Sequence, residues 1–297
     1  MSREYDSLID SLKERIFRGE DSTEVAREKL EGVHGHAIAD DVEVEWTEYG
    51  GVRCAWVTAP EARDATRVLV LHHGGGYIAA GGDGYLFYAD MLSRACNARL
   101  LLVDYRLAPE HQYPAALDDC CAAYSGLLES GASPDRIAFI GDSCGGALAV
   151  TSLVRLRDQG VALPALAVTL GGWFDLEASG DSAQNPVGHD PFAEASFLRA
   201  RGRDYVGEAG NLRDPLVSAI YADLRGLPPL LLQVGQVDLT RDDALRLAGN
   251  AGKQGVDVTL EVYPAMVHGF QGLANAGIPE AQQALARVAS FLDQRIG

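Results

Sequence analysis

Ile140-Gly141-Asp142-Ser143-Cys144-Gly145-Gly146 is the stretch from which the rest of the chain can be read. An apolar run, Arg136 to Ile140, stops at a glycine. A serine follows two residues later, then more glycines, then the small-residue pattern of a helix over Ala147 to Leu156. Gly-x-Ser-x-Gly between a strand and a helix makes a turn sharp enough to strain its serine and hold Oγ clear of a sheet. Side chains two residues before and after would collide, which accounts for Gly141 and Gly145. The helix that follows aims its free N–H groups and positive dipole end at the place where an oxyanion would form. Taken alone, the match is equally compatible with a glycine-rich turn carrying an incidental serine.

A second glycine cluster shifts the balance. Arg67-Val68-Leu69-Val70-Leu71-His72 reads as a buried strand and runs into His73-Gly74-Gly75-Gly76-Tyr77. A serine that attacks a carbonyl needs donors for the negative charge of the tetrahedral intermediate, and backbone amides are already fixed in place before reaction. Gly74, Gly75 and Gly76 let the backbone turn its amides inward, and the N–H of Cys144 completes the expected oxyanion hole. A phosphate loop is the rival reading, but no Gly-Lys-Ser/Thr follows and the spacing is wrong for a dinucleotide fold. Gly81-Gly82-Asp83-Gly84 fails the same test and reads as a loop.

The serine needs a base, and the base an orienting acid; on an α/β sheet their chain order is Ser, then Asp or Glu, then His. His34, His36, His72, His73 and His111 precede Ser143. His189 follows it, in a polar, proline-interrupted stretch before any candidate acid strand. His268 remains, in Tyr263-Pro264-Ala265-Met266-Val267-His268-Gly269-Phe270, directly after the strand expected over Val256 to Val262. The preceding strand, Leu230 to Gly235, ends just before Asp238, the expected acid. Asp242 and Asp243 compete, but they sit in a helix starting near Thr240 and read as first-turn charges that complement its dipole. Asp142, next to the serine, is expected to point away and to accept from loop amides.

His73-Gly74-Gly75-Gly76, Asp104-Tyr105-Arg106-Leu107-Ala108-Pro109-Glu110, Gly141 to Gly146, Asp214-Pro215-Leu216 and Val267-His268-Gly269-Phe270 occur in that order. Together they resemble the bacterial hormone-sensitive-lipase-like esterases of the α/β-hydrolase superfamily, over nearly the whole chain from about Val52 onward. The resemblance implies an α/β-hydrolase fold: an eight-stranded, mostly parallel sheet flanked by helices, with a helical cap. It implies a triad of Ser143, Asp238 and His268 without metal or organic cofactor, and an Asp104 to Glu110 segment that braces the site. Most relatives carry alanine after the serine where this chain has Cys144; the backbone N–H is unaffected, but a thiol there raises the question of oxidation or modification beside the site. The activity implied is hydrolysis of short-chain carboxylic esters through an acyl-enzyme. Opening of monoterpene-type lactones, or of carbamates or amides, by the same triad is the alternative. A non-catalytic small-molecule receptor on this fold is a weaker one, since such receptors typically lose the acid or base.

Composition fits one large α/β domain with an insertion: 297 residues, 47% of them hydrophobic. A net charge of -17, from 25 basic and 42 acidic residues, argues against nucleic acid and anionic membrane surfaces as partners. No apolar run is long enough to span a membrane. Met1-Ser2-Arg3-Glu4-Tyr5-Asp6 lacks a signal-peptide pattern, and five cysteines without paired spacing suit a reducing cytoplasm. Cys54, Cys96 and the helical pair Cys120-Cys121 lack metal-ligand spacing, and His34-Gly35-His36 is a weak metal candidate. The expected partner is therefore a small ester or lactone, with a homodimer left open.

Periodicity supplies the outline. Ser7 to Phe17 forms a helix with Leu8, Ile9, Leu12 and Ile16 on one face, and Ser22 to Leu30 another. A strand at Val42 to Trp46 pairs with Val52 to Thr58, and parallel-type strands follow near Val68, Leu100, Ile137, Ala167, Leu231 and Val258. Between Phe174 and Leu227 the alternation is suspended: Gly180 to Asp190 reads as a polar loop and Phe192 to Arg201 as a helix. The expected division is residues 1–40 as N-terminal cap helices, 41–180 and 214–297 as the core, and 181–213 as a cap insertion.

Overall fold

The computed structural model of the protein describes residues 2–11, 17–34, 37–188 and 190–296. Its centre is one sheet of eight strands, β1 Glu43–Tyr49, β2 Val52–Thr58, β3 Val68–His72, β4 Arg99–Val103, β5 Ile137–Asp142, β6 Leu166–Leu170, β7 Leu230–Gly235 and β8 Val258–Tyr263. They lie in the order β1-β2-β4-β3-β5-β6-β7-β8, antiparallel at β1/β2 and β2/β4 and parallel from β4 to β8. β5, β6 and β7 are buried at every residue, whereas β1 and β8 alternate or stay half-buried. This is the burial expected of inner parallel strands covered on both faces and of sheet edges. It explains why the inner strands read as unbroken apolar runs.

The strand order creates the crevice. From β3 the chain steps one way, through α3 (Leu86–Cys96), to β4; it then crosses back through α4 (Ala115–Glu129) to β5 on the other side of β3. Right-handed crossovers in opposite directions put their helices on opposite faces. Accordingly α3 packs with α9 (Pro279–Asp293), while α4 packs with α5 (Cys144–Asp158). Where the direction reverses, the loops leaving β3 and β5 part, and ligands bind at such carboxyl-end openings. Both glycine clusters emerge there. The approach at this point is close: a Cβ on Gly145 would stand 2.0 Å from the His72 carbonyl oxygen, so the start of α5 fits against the end of β3 only as glycine.

Outside the sheet alternation lie α1 (Arg3–Ser11), α2 (Thr23–His34), the short α6 (Asp181–Gln184) and α7 (Ala195–Val206). These segments meet: the Phe17 amide donates to the Phe192 carbonyl at 2.8 Å, the Phe17 and Phe197 rings stand 5.1 Å apart, and the Gly19 amide donates to Glu194. Several bounds differ from the sequence reading. α1 begins four residues early and turns Tyr5 into the interior, with Leu8 and Ile9 half-buried beside it; Leu12 and Ile16 lie outside the described residues. α7 starts after the extended Glu194 and runs on to Val206, and the stretch from Gly180 is helical for one turn at α6. No helix of the described residues is long and apolar enough to cross a membrane.

Candidate active site

Ser143 sits between β5 and α5 with φ 51° and ψ −123°, a conformation an L-residue holds only when its surroundings impose it. Those surroundings are hydrogen bonds: its amide donates to the Leu170 carbonyl at 3.0 Å, and its carbonyl accepts from Gly146 at 3.0 Å and Trp173 at 2.9 Å. Oγ stands 3.0 Å from His268 Nε2. On the other side of the ring, Nδ1 lies 3.0 Å from both carboxylate oxygens of Asp238. Nδ1–H therefore donates to Asp238 and leaves Nε2 to accept from the serine. Asp238 is buried and held in turn by the Thr240 amide and hydroxyl, at 2.7 and 2.9 Å on Oδ1. The structure thus brings Ser143, His268 and Asp238 into one line of contacts.

The loop after β3 faces the serine. The Gly75 carbonyl accepts from Ile78 and Ala79, both at 3.1 Å, which folds the segment into a tight turn. Cys144, fully buried, packs under it: Sγ accepts from the Tyr77 amide at 3.2 Å. Burial pushes that thiol up to about 12, so it remains protonated. The Cys144 amide is the first of α5 and has no intrahelical acceptor. The brace beneath is built from the Asp104 to Glu110 segment. Tyr105 stacks on His73 at 3.9 Å and donates to its carbonyl at 2.7 Å, Arg106 pairs with Asp119, Asp104 with Arg53 and Glu110 with Arg27. His72 and His73 are fully buried and kept neutral by that burial, down to about 3 and about 4.

Two acid expectations need correction. Asp142 does not point away from the site: it lines the same cavity as Ser143. Its Oδ2 accepts from the Tyr85 hydroxyl at 2.5 Å and it bonds the Gly74 amide, while Oδ1 has no partner among the described residues. Burial raises it to about 6, against those hydrogen bonds. Asp243 is in the first turn of α8 (Arg241–Lys253) but is not a surface charge. It is buried and accepts from the amides of Phe174 and Asp175 at 3.0 and 2.9 Å, tying α8 to the loop after β6. Burial and the neighbouring Asp175 charge raise it well above the ordinary carboxylate range. Asp242 instead accepts from the Ser182 amide at 3.1 Å.

Two neighbours of the His268 loop escaped the sequence reading. Asp190, fully buried, accepts from the His268 amide at 3.3 Å and from Phe192 at 2.9 Å. Tyr5, also buried, donates to the Ala265 carbonyl at 3.0 Å and accepts from the Val267 amide at 3.1 Å. Burial and the Asp238 charge push Asp190 up to about 6. Burial by itself would lower His268, but Asp238 by charge and hydrogen bond, then Asp190 and Asp142, outweigh it and raise the imidazole to about 9. His189 and the Gly35-His36 part of the weak metal candidate lie outside the described residues.

The cavity in front of Ser143 encloses about 230 Å³. Phe17, Leu30, Phe87, Trp173, Phe192 and Phe197 give it an apolar wall, and Arg201 is the one arginine or lysine lining it among the described residues. That guanidinium is buried, paired with Asp204 at 2.9 Å and set against the Phe197 ring. The described residues contain no cluster of three or more His, Cys, Asp or Glu arranged to hold a metal ion.

Comparison with known proteins places these features in a family context. A family model described as the alpha/beta hydrolase fold matches residues 69–272. An acetyl-hydrolase of Streptomyces hygroscopicus is 37% identical over 248 residues, 84% of this chain and 82% of its own length. An esterase of Acinetobacter venetianus is 34% identical over 243 residues, 81% of this chain and 80% of its own length. The crystal structure of an esterase from the bacterial hormone-sensitive lipase family superposes with a TM-score of 0.93 at 40% identity, covering 100% of this chain and 99% of that one.

Proposed function

Since the chain belongs to the α/β-hydrolase family, with the bacterial hormone-sensitive-lipase-like esterases, and is a carboxylic ester hydrolase, we propose that it cleaves short-chain esters through an acyl-enzyme on Ser143. The observation that supports this most is the run of contacts from Ser143 Oγ to His268 Nε2 and from Nδ1 to Asp238, all at 3.0 Å. In this reading His268 takes the serine proton as Oγ bonds to the ester carbonyl carbon. Asp238 holds the tautomer and stabilises the imidazolium that forms. The carbonyl oxygen becomes an oxyanion, bound by amides of the Gly74-Gly75-Gly76 loop and of Cys144 at the positive end of α5. The intermediate collapses, the C–O bond to the alcohol breaks, and the imidazolium returns its proton to the departing oxygen. Water, deprotonated by His268, then attacks the acyl carbon and releases the acid while Ser143 recovers its proton.

Length preference follows from volume. Ligand pockets usually enclose about 300–1,000 Å³, and a largely apolar cavity of about 230 Å³ suits an acyl group of a few carbons. The N-terminal segment 1–40 and the insertion 181–213 act here as the cap: Phe17, Leu30, Phe192 and Phe197 from them roof the cavity. The experiment is a panel of nitrophenyl esters of graded chain length with a lactone arm, run on the parent enzyme and on Ser143→Ala. Hydrolysis should be fastest on the shorter esters and vanish in the folded variant. Retained ester hydrolysis in Ser143→Ala would refute the nucleophile, and a preference for long chains would refute the cap reading.

A further inference from the structure

The loop that carries His268 is held from two directions. From the core, the Val237 amide donates to the Met266 carbonyl at 3.0 Å, and Gln236 Oε1 accepts from the Ala265 amide at 2.9 Å. The other contacts come from outside the sheet. Tyr5 of α1 spans the turn with its hydroxyl, donating to Ala265 and accepting from the Val267 amide; Asp190, from the 181–213 segment, accepts from the very next amide, that of His268. Both side chains are buried, at 2% and 0% exposure. Ala265 itself holds φ 57°, a conformation a non-glycine residue keeps only under constraint.

We propose that the two cap segments position the catalytic base as well as roof the substrate, with Tyr5 and Asp190 as the positioning residues that hold His268 through consecutive backbone amides. The inference rests on the reading of His268 as the base. Its consequence is that cap docking and catalytic competence are one event: a cap that lifts takes with it the acceptors that keep Val267 and His268 in register with Ser143. A cap that only enclosed substrate would govern affinity and chain length; this one also governs turnover of a substrate too small to reach it. Asp190 adds a charge effect that Tyr5 does not. His268 faces the carboxylates of Asp238 from the loop after β7, of Asp142 from the end of β5 and of Asp190 from the cap. Asp190 faces Asp238 and His268, while Tyr5 faces Asp190, Glu280 of α9 and Asp6 of its own helix. An anionic Asp190 therefore favours the imidazolium that forms when Ser143 is deprotonated.

The test uses the full chain with Tyr5→Phe and Asp190→Asn, both nearly isosteric, and rates on nitrophenyl acetate expressed per titrated Ser143. Asp190→Asn should lower kcat by about 10- to 100-fold with KM within about threefold, since only transition-state positioning is lost. Loss of a negative charge beside the ring makes it less basic, so the acidic limb of kcat/KM should move to lower pH. Tyr5→Phe should lower kcat several-fold and leave that limb in place. A purely structural contribution would reduce the titratable fraction without moving either quantity per active site. The proposal is overturned if both variants keep kcat on acetate within twofold and superimposable pH profiles, or if their losses appear only in KM and on longer acyl groups. Failure of the base assignment would show separately, as activity surviving in His268→Ala.

Discussion

Alanine substitutions along Gly74-Gly75-Gly76 should separate the geometry of the oxyanion loop from its mere flexibility. The three glycines look interchangeable in the sequence, but their surroundings differ. A Cβ on Gly75 would stand 2.3 Å from the Ala79 carbonyl oxygen and 2.9 Å from its carbon, at φ 103°. Those are backbone atoms of the same tight turn and have no rotamer to escape into. Reaching an ordinary contact near 3.5 Å requires the loop to open by roughly 1 Å. A displacement of about 1 Å in a catalytic group costs on the order of 10²-fold, and an oxyanion donor lost outright about 10²–10³ in kcat. On Gly76 the same atom would meet only the Arg201 stem, at 3.5 to 3.9 Å, which is ordinary contact. Its φ of 61° still penalises alanine by about 1–2 kcal/mol. For a chain of this size that is a drop in Tm of roughly 2–3 °C.

Gly74→Ala falls between. Its Cβ would press within 2.6 Å of Asp142 Oδ2 and 2.7 Å of the Tyr85 hydroxyl, side-chain atoms that can yield at the expense of their hydrogen bond. The assay is kcat on nitrophenyl acetate per titrated active site, with Tm measured in parallel. The expected order of kcat loss is Gly75→Ala, then Gly74→Ala, then Gly76→Ala, the last losing stability more than rate. If Gly75→Ala keeps more than about a third of the parent kcat, or Gly76→Ala loses as much as Gly75→Ala, the loop does not hold the oxyanion in the way proposed.

Asp238→Asn should lower kcat by about 10³–10⁴ by presenting the wrong tautomer to Ser143, whereas Asp242→Asn, whose carboxylate serves Ser182, should cost less than threefold; reversed effects in a kcat comparison would place the acid elsewhere. Because Asp238, Asp190 and Asp142 raise His268 to about 9, and the base must be neutral, kcat/KM should keep climbing from pH 6 to 9, and a plateau reached below pH 7 would contradict that field. Stability should run the other way: His268, Asp142 and Asp190 all have folded values above their unfolded ones, so each stabilises the fold in acid and ceases to as pH rises through about 6 for the carboxyls and about 9 for the imidazole. Tm measured from pH 6 to 9 should fall as activity rises. The five free thiols are buried, with Cys144 pushed up to about 12, so iodoacetamide at pH 8 should leave the folded enzyme active and unmodified by mass spectrometry.

How far the sequence discloses this molecule depends on how far apart its partners lie along the chain. The inner strands are legible because burial on both faces writes itself as a local apolar run, and β2 matches its expected range, Val52–Thr58, residue for residue. The glycine clusters are legible because backbone collisions at Gly75, Gly141 and Gly145 exclude any other residue at those three positions, while Gly76 is required by its φ of 61° and not by space. Boundaries are less so where the determinant is a neighbour: α7 starts late because Glu194, extended, spends its side chain on Gly19 and Ser196. Asp243 looks like a helix-start charge in its own turn and becomes a buried acceptor only because the loop after β6, 68 residues away, presents two amides to it.

The same distinction separates the triad from what holds it. Ser143, Asp238 and His268 each follow the end of a readable strand, in the order that belongs to an α/β sheet of this kind, so position and order could nominate them. Tyr5 and Asp190 stand in no such frame. Tyr5 lies in an acidic helix and meets its partner 260 residues later; Asp190 ends a polar stretch and reaches His268 across 78 residues. The one local signal, an aspartate directly before Pro191 at the entrance to α7, occurs again at Asp214-Pro215, where the carboxylate only caps its own turn at Leu216. A carboxylate in such a place acquires its role only in the folded chain, where the His268 loop presents its amide to Asp190. For this reason a segment that reads as a removable roof is tied, through Tyr5 and Asp190, to the loop of His268, the residue proposed to accept the serine proton.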